Sequence, residues 1–598
     1  MSLLQALDGY YGRMAARGEA EAPGYSREKI SFAIMLSPEG DPVQVVDLRE
    51  QSGKKLVPRL MTVPAAGKRT AGIMPNCLWD KSAYVLGRTA GEGRRTAEEH
   101  AAFREAHLKL LAGTNDEGLL ALRRFLEGWT PDRFDAEPFK PEMLDANIVF
   151  RLSGGGYLHD REAAQRLIGR PVADGRPPAF CLVTGEEAPA QRLHPTIKGV
   201  EGAQSSGAAL VSFNLEAFTS YGKEQGDNAP TSEIAAFRYG AALNRMLDRA
   251  SPNRLPRPIG DASVIFWADA SEEVAKPIED AFADFFSPPT PEASTGNLER
   301  DEQQAALVRD ELQWVLDGRP YREGGPRLEP GVRFNILGLS PNAARLSVRF
   351  WMQGRFEVFA KRLAEHYDDL SIEPTPWRAA PPAIQRLLVR TTAAQEKFEN
   401  IPPQLAGEVT RAILTGGNYP RPLLAAALMR LRAGDDPSTG WHAAAIRAVL
   451  AREGRKHRRE IPPVSLNREE PNAAYQLGRM FAMAEIAQRM ALGKVNATIR
   501  DRYFGAASAT PAGVFPLLLR GMQNHLAKLR KDGKGGFIER ELDQIAEQLP
   551  SALPRSLRLE EQGRFVIGYY HQRRARVAGK PVEELEAAET PEGGETNV

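Results

Sequence analysis

Only two of the 598 residues are cysteines, Cys77 and Cys181, too few for a disulfide framework or a cysteine-rich zinc site. Such scarcity fits a reducing compartment, and a cytoplasmic location is expected. Long apolar runs are also missing. The longest, residues 423–429, has seven residues, whereas about 20 are needed to cross a bilayer. The first residues lack the basic and continuous apolar regions of a secretory signal, so neither export nor membrane insertion is expected. The nine histidines form no His-Glu-x-x-His pattern, and no Gly-x-x-x-x-Gly-Lys-Ser/Thr run is present to cradle phosphates. Neither a metal centre, a nucleotide-driven motor nor any cofactor is therefore expected. Residues 202–207 lack the Gly-x-Ser-x-Gly spacing of a nucleophile elbow. His159-Asp160 has no evident companion ligands, which leaves a nuclease as a weaker alternative and predicts no catalytic residue.

What is present is an ordinary globular composition, 42% hydrophobic and 26% charged, with length enough for several domains. Net charge is +1, but it is unevenly spread. Residues 378–576 hold 32 Lys and Arg against 18 Asp and Glu, while residues 577–598 hold one lysine against six glutamates. A cationic region of this kind attracts phosphate backbones through counterion release.

The chain changes character near residue 377. Ile30, Phe32, Ile34 and Leu36 alternate, then a Ser-Pro-Glu-Gly-Asp-Pro turn leads to Val43 and Val45, a strand, turn, strand pattern. Residues 263–269 and 346–351 read as further strands. Residues 98–111, 119–129, 234–247 and 356–367 carry the three- and four-residue spacing of helices. The expected fold is α+β: a mixed region 1–373 with antiparallel strands and helices, possible as two subdomains, then a proline-rich linker 374–382. A basic all-α helical bundle over 383–577 and an acidic disordered tail over 578–598 complete it. Within the bundle, Leu477, Met480, Phe481 and Ala484 make one apolar stripe; Leu517, Met522, His525, Leu526 and Leu529 make another.

Two loops carry candidate binding chemistry. Lys68 and Arg69 lead into a Pro75-Asn76 turn followed by Lys81, a set in which basic groups neutralise phosphates and an Asn pairs with adenine N6 and N7. An Asn capping its own turn is the plainer reading. The second loop, residues 198–207, is rich in small residues between Lys198 and Gln204 and allows a ligand close to the backbone.

The blocks Cys181-Leu-Val-Thr-Gly-Glu186, His194-Pro195, Gln204-Ser-Ser-Gly207, Val211-Ser-Phe-Asn214 and Ser220-Tyr-Gly-Lys223 resemble the large subunit of the type I-C CRISPR interference complex, the Csd family. Pro75-Asn76 with Leu78-Trp79-Asp80, residues 335–340 and 344–351, Tyr475-Gln-Leu-Gly478, Asn496-Ala-Thr498 and Gly568-Tyr-Tyr-His-Gln572 extend the resemblance across nearly the whole chain. It implies a non-catalytic, CRISPR-RNA-guided surveillance subunit in antiviral defence. Such a subunit recognises the short motif flanking a target in double-stranded DNA, promotes duplex opening and supports recruitment of a helicase-nuclease. The implied partners are guide-end and backbone subunits, a small subunit, and target DNA with its displaced strand.

On this reading Asn76 meets a base edge, Lys68, Arg69 and Lys81 hold phosphates, and Lys198 and Gln204 form an adjoining wall. Arg479, Arg489, Lys494, Arg500, Arg502, Lys528, Arg530 and Lys531 would track the displaced strand. The resemblance also implies a small subunit made from an internal start, for which Met480 and Met483 are the candidates. The alternatives are a nuclease or guide-RNA-processing enzyme, and a sequence-independent single-strand-binding scaffold.

Overall fold

A computed structural model of the chain describes residues 2–52, 55–66, 72–168, 178–286, 310–319, 327–377, 381–393, 395, 397–493, 496–577 and 580–581. Lys68, Arg69, Lys494 and the expected tail, apart from 580–581, lie outside the described residues. Two compact units are formed, residues 1–197 with 211–245, and residues 198–210 with 246–598.

In the first unit, the alternation read at 30–36 becomes the strand Phe32–Leu36. It pairs antiparallel with Pro42–Asp47, Ile34 opposite Val45, and parallel with Asn147–Leu152, which in turn pairs antiparallel with Trp79–Lys81. As an inner strand it is buried on both faces. Phe32, Ile34 and Leu36 face a core shared with Phe103, Leu122, Phe125 and Phe150, while Ala33 joins Trp79, Val149 and Val63 in a smaller cluster. The helix Glu117–Gly128 starts where Asp116 accepts the Leu119 N–H at 3.0 Å. It buries Leu119, Leu122, Phe125 and Leu126, its apolar stripe.

The second unit is built on the antiparallel strands Ser263–Asp269, Arg333–Asn342 and Arg345–Arg355, with Ala208–Ala209 added parallel to the last. The helices Glu272–Phe286 and Phe356–Leu370 share a core with this sheet, in which the rings of Phe266, Phe282 and Phe334 pack with centroids 4.8–6.1 Å apart. Most of the rest is helical: Ile384–Val389, Pro403–Thr415, Arg421–Arg432, Trp441–His457, Ala473–Leu492, Ile499–Ala509, Pro511–Lys531, Gly536–Glu547 and Leu559–Arg573; the all-α reading of 383–577 is corrected only at its end, where Arg576–Val577 pairs antiparallel with Lys580–Pro581. The helix ends follow local chemistry. Asn472 accepts the Tyr475 N–H, Thr498 and Asp501 form a capping box, and Gly416 closes a helix in the left-handed region. The α+β organisation with a helical C-terminal region is thus as expected.

The division between compact units does not fall at 374–382, where composition placed a linker. Sheet and bundle share one core. Glu373 N–H donates to Val464 O at 2.8 Å, Tyr570 O–H donates to Pro374 O, and Trp377 lies edge-on to Trp441 at 5.7 Å. Proline lacks a donor but keeps its carbonyl, so a Pro-rich run packs wherever neighbours bring hydroxyls and rings. A second difference is Leu517, placed in a core stripe from its spacing but 57% exposed, while Met522, Leu526 and Leu529 are buried.

Candidate nucleic-acid interface

The Pro75–Lys81 turn is held from inside the first unit. Asp80, fully buried, accepts the Asn76 N–H through Oδ2 and the Lys81 N–H through Oδ1, both at 2.8 Å. Leu78, with φ +60°, donates its N–H to His107 Nε2 at 2.8 Å. His107 Nδ1 is 2.7 Å from Phe103 O, so the ring is neutral with its proton on Nδ1. Burial drives this imidazole down to about 4, which keeps Nε2 an acceptor at neutral pH. Trp79 Nε1 donates to Pro64 O at 2.7 Å and closes the turn. The result is a braced turn that exposes Lys81 and leaves Asn76 only 6% exposed. Direct reading of a base edge by Asn76 therefore requires this turn to open.

Lys198 and Gln204 are exposed and belong to the second unit, in a loop that borders an open cavity of about 610 Å³. Gly199 at φ +88° lies so close to the chain that an added Cβ would sit 2.6 Å from Leu247 O. Arg254 fixes the loop by donating from Nη1 to Gly199 O at 3.0 Å and to Leu247 O at 2.6 Å, and Glu201 N–H donates to Ser263 Oγ. Exposed Arg249 lines the same cavity beside Gln204. The sequence reading missed Arg249 and Arg254. They lie some fifty residues beyond the loop, and their only local signal was a cluster of basic residues after a predicted helix.

The seven expected strand-tracking cations among the described residues do not share one environment. Arg479 is wholly enclosed, its Nη2 on Glu541 at 2.9 Å, its Nε on Gln572 and its Nη1 on Gln476. This is a correction: a guanidinium saturated inside the helices has no charge to offer a strand. Arg489 is half-buried against Glu485 at 3.1 Å, and Arg500 bridges Asp436 at 2.8 Å and Asp501 at 3.3 Å. Arg530 pairs with Glu539. Arg502, Lys528 and Lys531 are exposed. On Pro511–Lys531, Arg520, Asn524, Lys528 and Lys531 recur at helical spacing and are all exposed, a polar and basic stripe of which the sequence singles out only the C-terminal end.

The helical blocks that carried the family resemblance meet each other. An added Cβ on Gly478 would lie 2.0 Å from Phe565 O, and one on Gly568 would lie 2.1 Å from Tyr475 O. Tyr475 and His571 are joined at 2.9 Å, and Arg479 reaches Gln572 at 2.8 Å. These blocks are therefore the crossing of the helices Ala473–Leu492 and Leu559–Arg573. Met480 and Met483 lie inside the first of them, so a chain begun at either lacks Tyr475 and Gly478, half of that crossing.

For the nuclease alternative, His159 is buried, its Nε2 3.6 Å from Asp160, and among the described residues no group of three His, Cys, Asp or Glu is placed to hold a metal ion. Among the same residues no helix is long and apolar enough to cross a membrane. No curated protein matches the sequence. A family model described as CRISPR-associated protein (Cas_Csd1) matches residues 7–577. The chain therefore belongs to the CRISPR-associated Csd1 family, the type I-C large-subunit family, and with it to a multi-subunit CRISPR complex.

Proposed function

We propose that the chain is the non-catalytic subunit of a CRISPR-RNA-guided complex that reads the short motif flanking a target in double-stranded DNA, promotes duplex opening and holds the displaced strand. It also supports recruitment of a helicase-nuclease. The family match over residues 7–577 carries this reading. The braced Pro75–Lys81 turn and the Lys198–Gln204 loop with Arg249 support a duplex-facing role, since both present cations on backbone held in place beforehand. Lys68, Arg69 and Lys494 stay in the proposal on sequence grounds, and Arg479 leaves it.

The test is binding of the guide-loaded complex, with and without this chain, to matched duplexes that differ only in the flanking motif, at fixed salt. Motif-dependent affinity that appears only with the chain present is expected. Identical preference without it makes the chain a scaffold. With Asn76→Ala, discrimination among motifs should relax by about 1–3 kcal/mol, the worth of one bidentate base contact. Unchanged discrimination removes Asn76 from recognition.

The stripe on Pro511–Lys531 gives a separate expectation. Replacing Arg520, Lys528 and Lys531 with Gln removes three phosphate partners, so the dependence of log K on log salt should become shallower by about 2, at about 0.7 per single-strand contact. A slope equal to that of the unaltered complex places the displaced strand elsewhere.

A further inference from the structure

Of the nineteen exposed large apolar side chains among the described residues, seven fall between Phe180 and Ile234, a small part of the chain. All seven belong to the first unit. Leu182 N–H donates to Pro230 O at 2.9 Å, Gln191 N–H to Thr231 O at 2.8 Å, and Gly226 N–H to Arg192 O at 3.2 Å. Residues 180–192 and 226–234 therefore run side by side. Cys181, Val183 and Ala235 fill the small core beneath them, and the alternating Phe180 and Leu182 point outward, 65% and 64% exposed.

From this base rises a loop exposed from Asn214 to Glu224. At its tip Lys223 N–H donates to Ser220 O at 2.9 Å, with φ +53° at Tyr221 and +72° at Gly222, a tight turn with both central residues left-handed. Asn228 Nδ2 braces it by donating to Lys223 O and Gln225 O, each at 3.1 Å. Tyr221 is completely exposed. A tyrosine there holds a backbone conformation that disfavours side chains, and its ring packs on nothing in this fold. An outlier kept without a folding benefit points to a use outside the chain.

Charge decides what kind of partner. Across residues 180–197 and 211–234 there are six acidic residues, Glu186, Glu187, Glu216, Glu224, Asp227 and Glu233, against Arg192 and Lys223. Such a surface repels a phosphate backbone and attracts a basic one. We propose that this face docks the chain onto another protein of its CRISPR complex, one that offers an apolar pocket for Tyr221 within a rim of Lys or Arg. Tyrosine anchors of this kind carry much of the binding energy in protein interfaces. The proposal rests on membership of a complex and not on any reading of DNA.

The test uses the guide-loaded assembly of companion subunits purified without this chain, to which the full-length chain is added and its binding measured. Tyr221→Gly and Leu182→Glu should each weaken incorporation at least tenfold. Tyr221→Gly should keep a thermal midpoint equal to or above that of the unaltered chain, because glycine adopts φ +53° freely, which separates docking from folding. Glu186→Lys with Glu187→Lys should slow association at low salt and matter less at high salt. Incorporation at unaltered affinity by both Tyr221→Gly and Leu182→Glu overturns the proposal. So does normal incorporation with lost DNA affinity, which would make this a nucleic-acid surface. An assembly with no motif preference that still rejects Tyr221→Gly leaves the docking face standing while the DNA reading falls.

Discussion

Gly478→Ala should unfold the C-terminal helices, whereas Gly521→Ala, the same chemical change on a neighbouring helix, should stabilise them. At Gly478 the new Cβ would lie 2.0 Å from Phe565 O and 2.8 Å from Tyr569 N, the carbonyl and amide that bond to each other in the opposing helix. Ordinary contact with the carbonyl needs well over an ångström more, and neither neighbour is a side chain that turns aside. The helices must separate, which strips packing from Leu477, Phe481, Phe565 and Tyr569, all fully buried. Overpacking of backbone on backbone belongs in the tail of mutational effects, about 4 kcal/mol or more. At Gly521 nothing lies within 4 Å of the added atom, and the gain is the ordinary helix preference of Ala over Gly, about 1 kcal/mol. Denaturant midpoints of the two variants decide the matter. Two midpoints that move together by similar amounts contradict the crossing.

That crossing also shows what was legible beforehand. The blocks 475–478 and 568–572 stood out in the sequence, and their helices were plain from periodicity, but nothing along a single chain says that two glycines ninety residues apart share one contact. The basic balance of residues 378–576 was equally plain and partly misleading. A count of charges does not distinguish Arg479, enclosed with Glu541, from Arg520 on an open face, because pairing is decided by tertiary neighbours. Strands at 32–36 and 263–269 could be read because alternation and β-branched content are local signals. The burial of Asn76 follows from an acceptor four residues later and from His107 on the helix Thr96–Leu110, and only the first of these lies close in sequence. Likewise, the exposed Ser220–Lys223 turn was recognised as a family block, but its left-handed tyrosine was not, since sequence rules reserve that conformation for Gly and Asn.

Acidification from pH 7 to pH 5 should cost both units stability, through histidines the fold keeps neutral. Burial lowers His107 to about 4 and both His366 and His571 to about 3, against about 6.5 in an unfolded chain. Between those values the unfolded state binds more protons than the folded one. The contribution is therefore complete above about pH 6.5 and is lost as pH falls. At pH 5 each histidine costs about 2 kcal/mol by this linkage, which makes about 4 kcal/mol in the second unit and about 2 kcal/mol in the first. His366 Nδ1 is 2.6 Å from Tyr419 Oη, and His571 Nδ1 is 2.9 Å from Tyr475 Oη, so protonation strains the same interior that holds the helix crossing. In the first unit the consequence reaches the candidate interface. A protonated His107 has no lone pair on Nε2 for the Leu78 N–H, and the turn that presents Lys81 loses one of its braces. Thermal midpoints measured at pH 7, 6 and 5 should fall steeply. In His107→Gln, whose amide can still accept from Leu78, the first unit's transition should lose its share of that slope. Midpoints that stay level down to pH 5 would mean that these imidazoles titrate as freely folded as unfolded, and the neutral brace behind the turn would have to be abandoned.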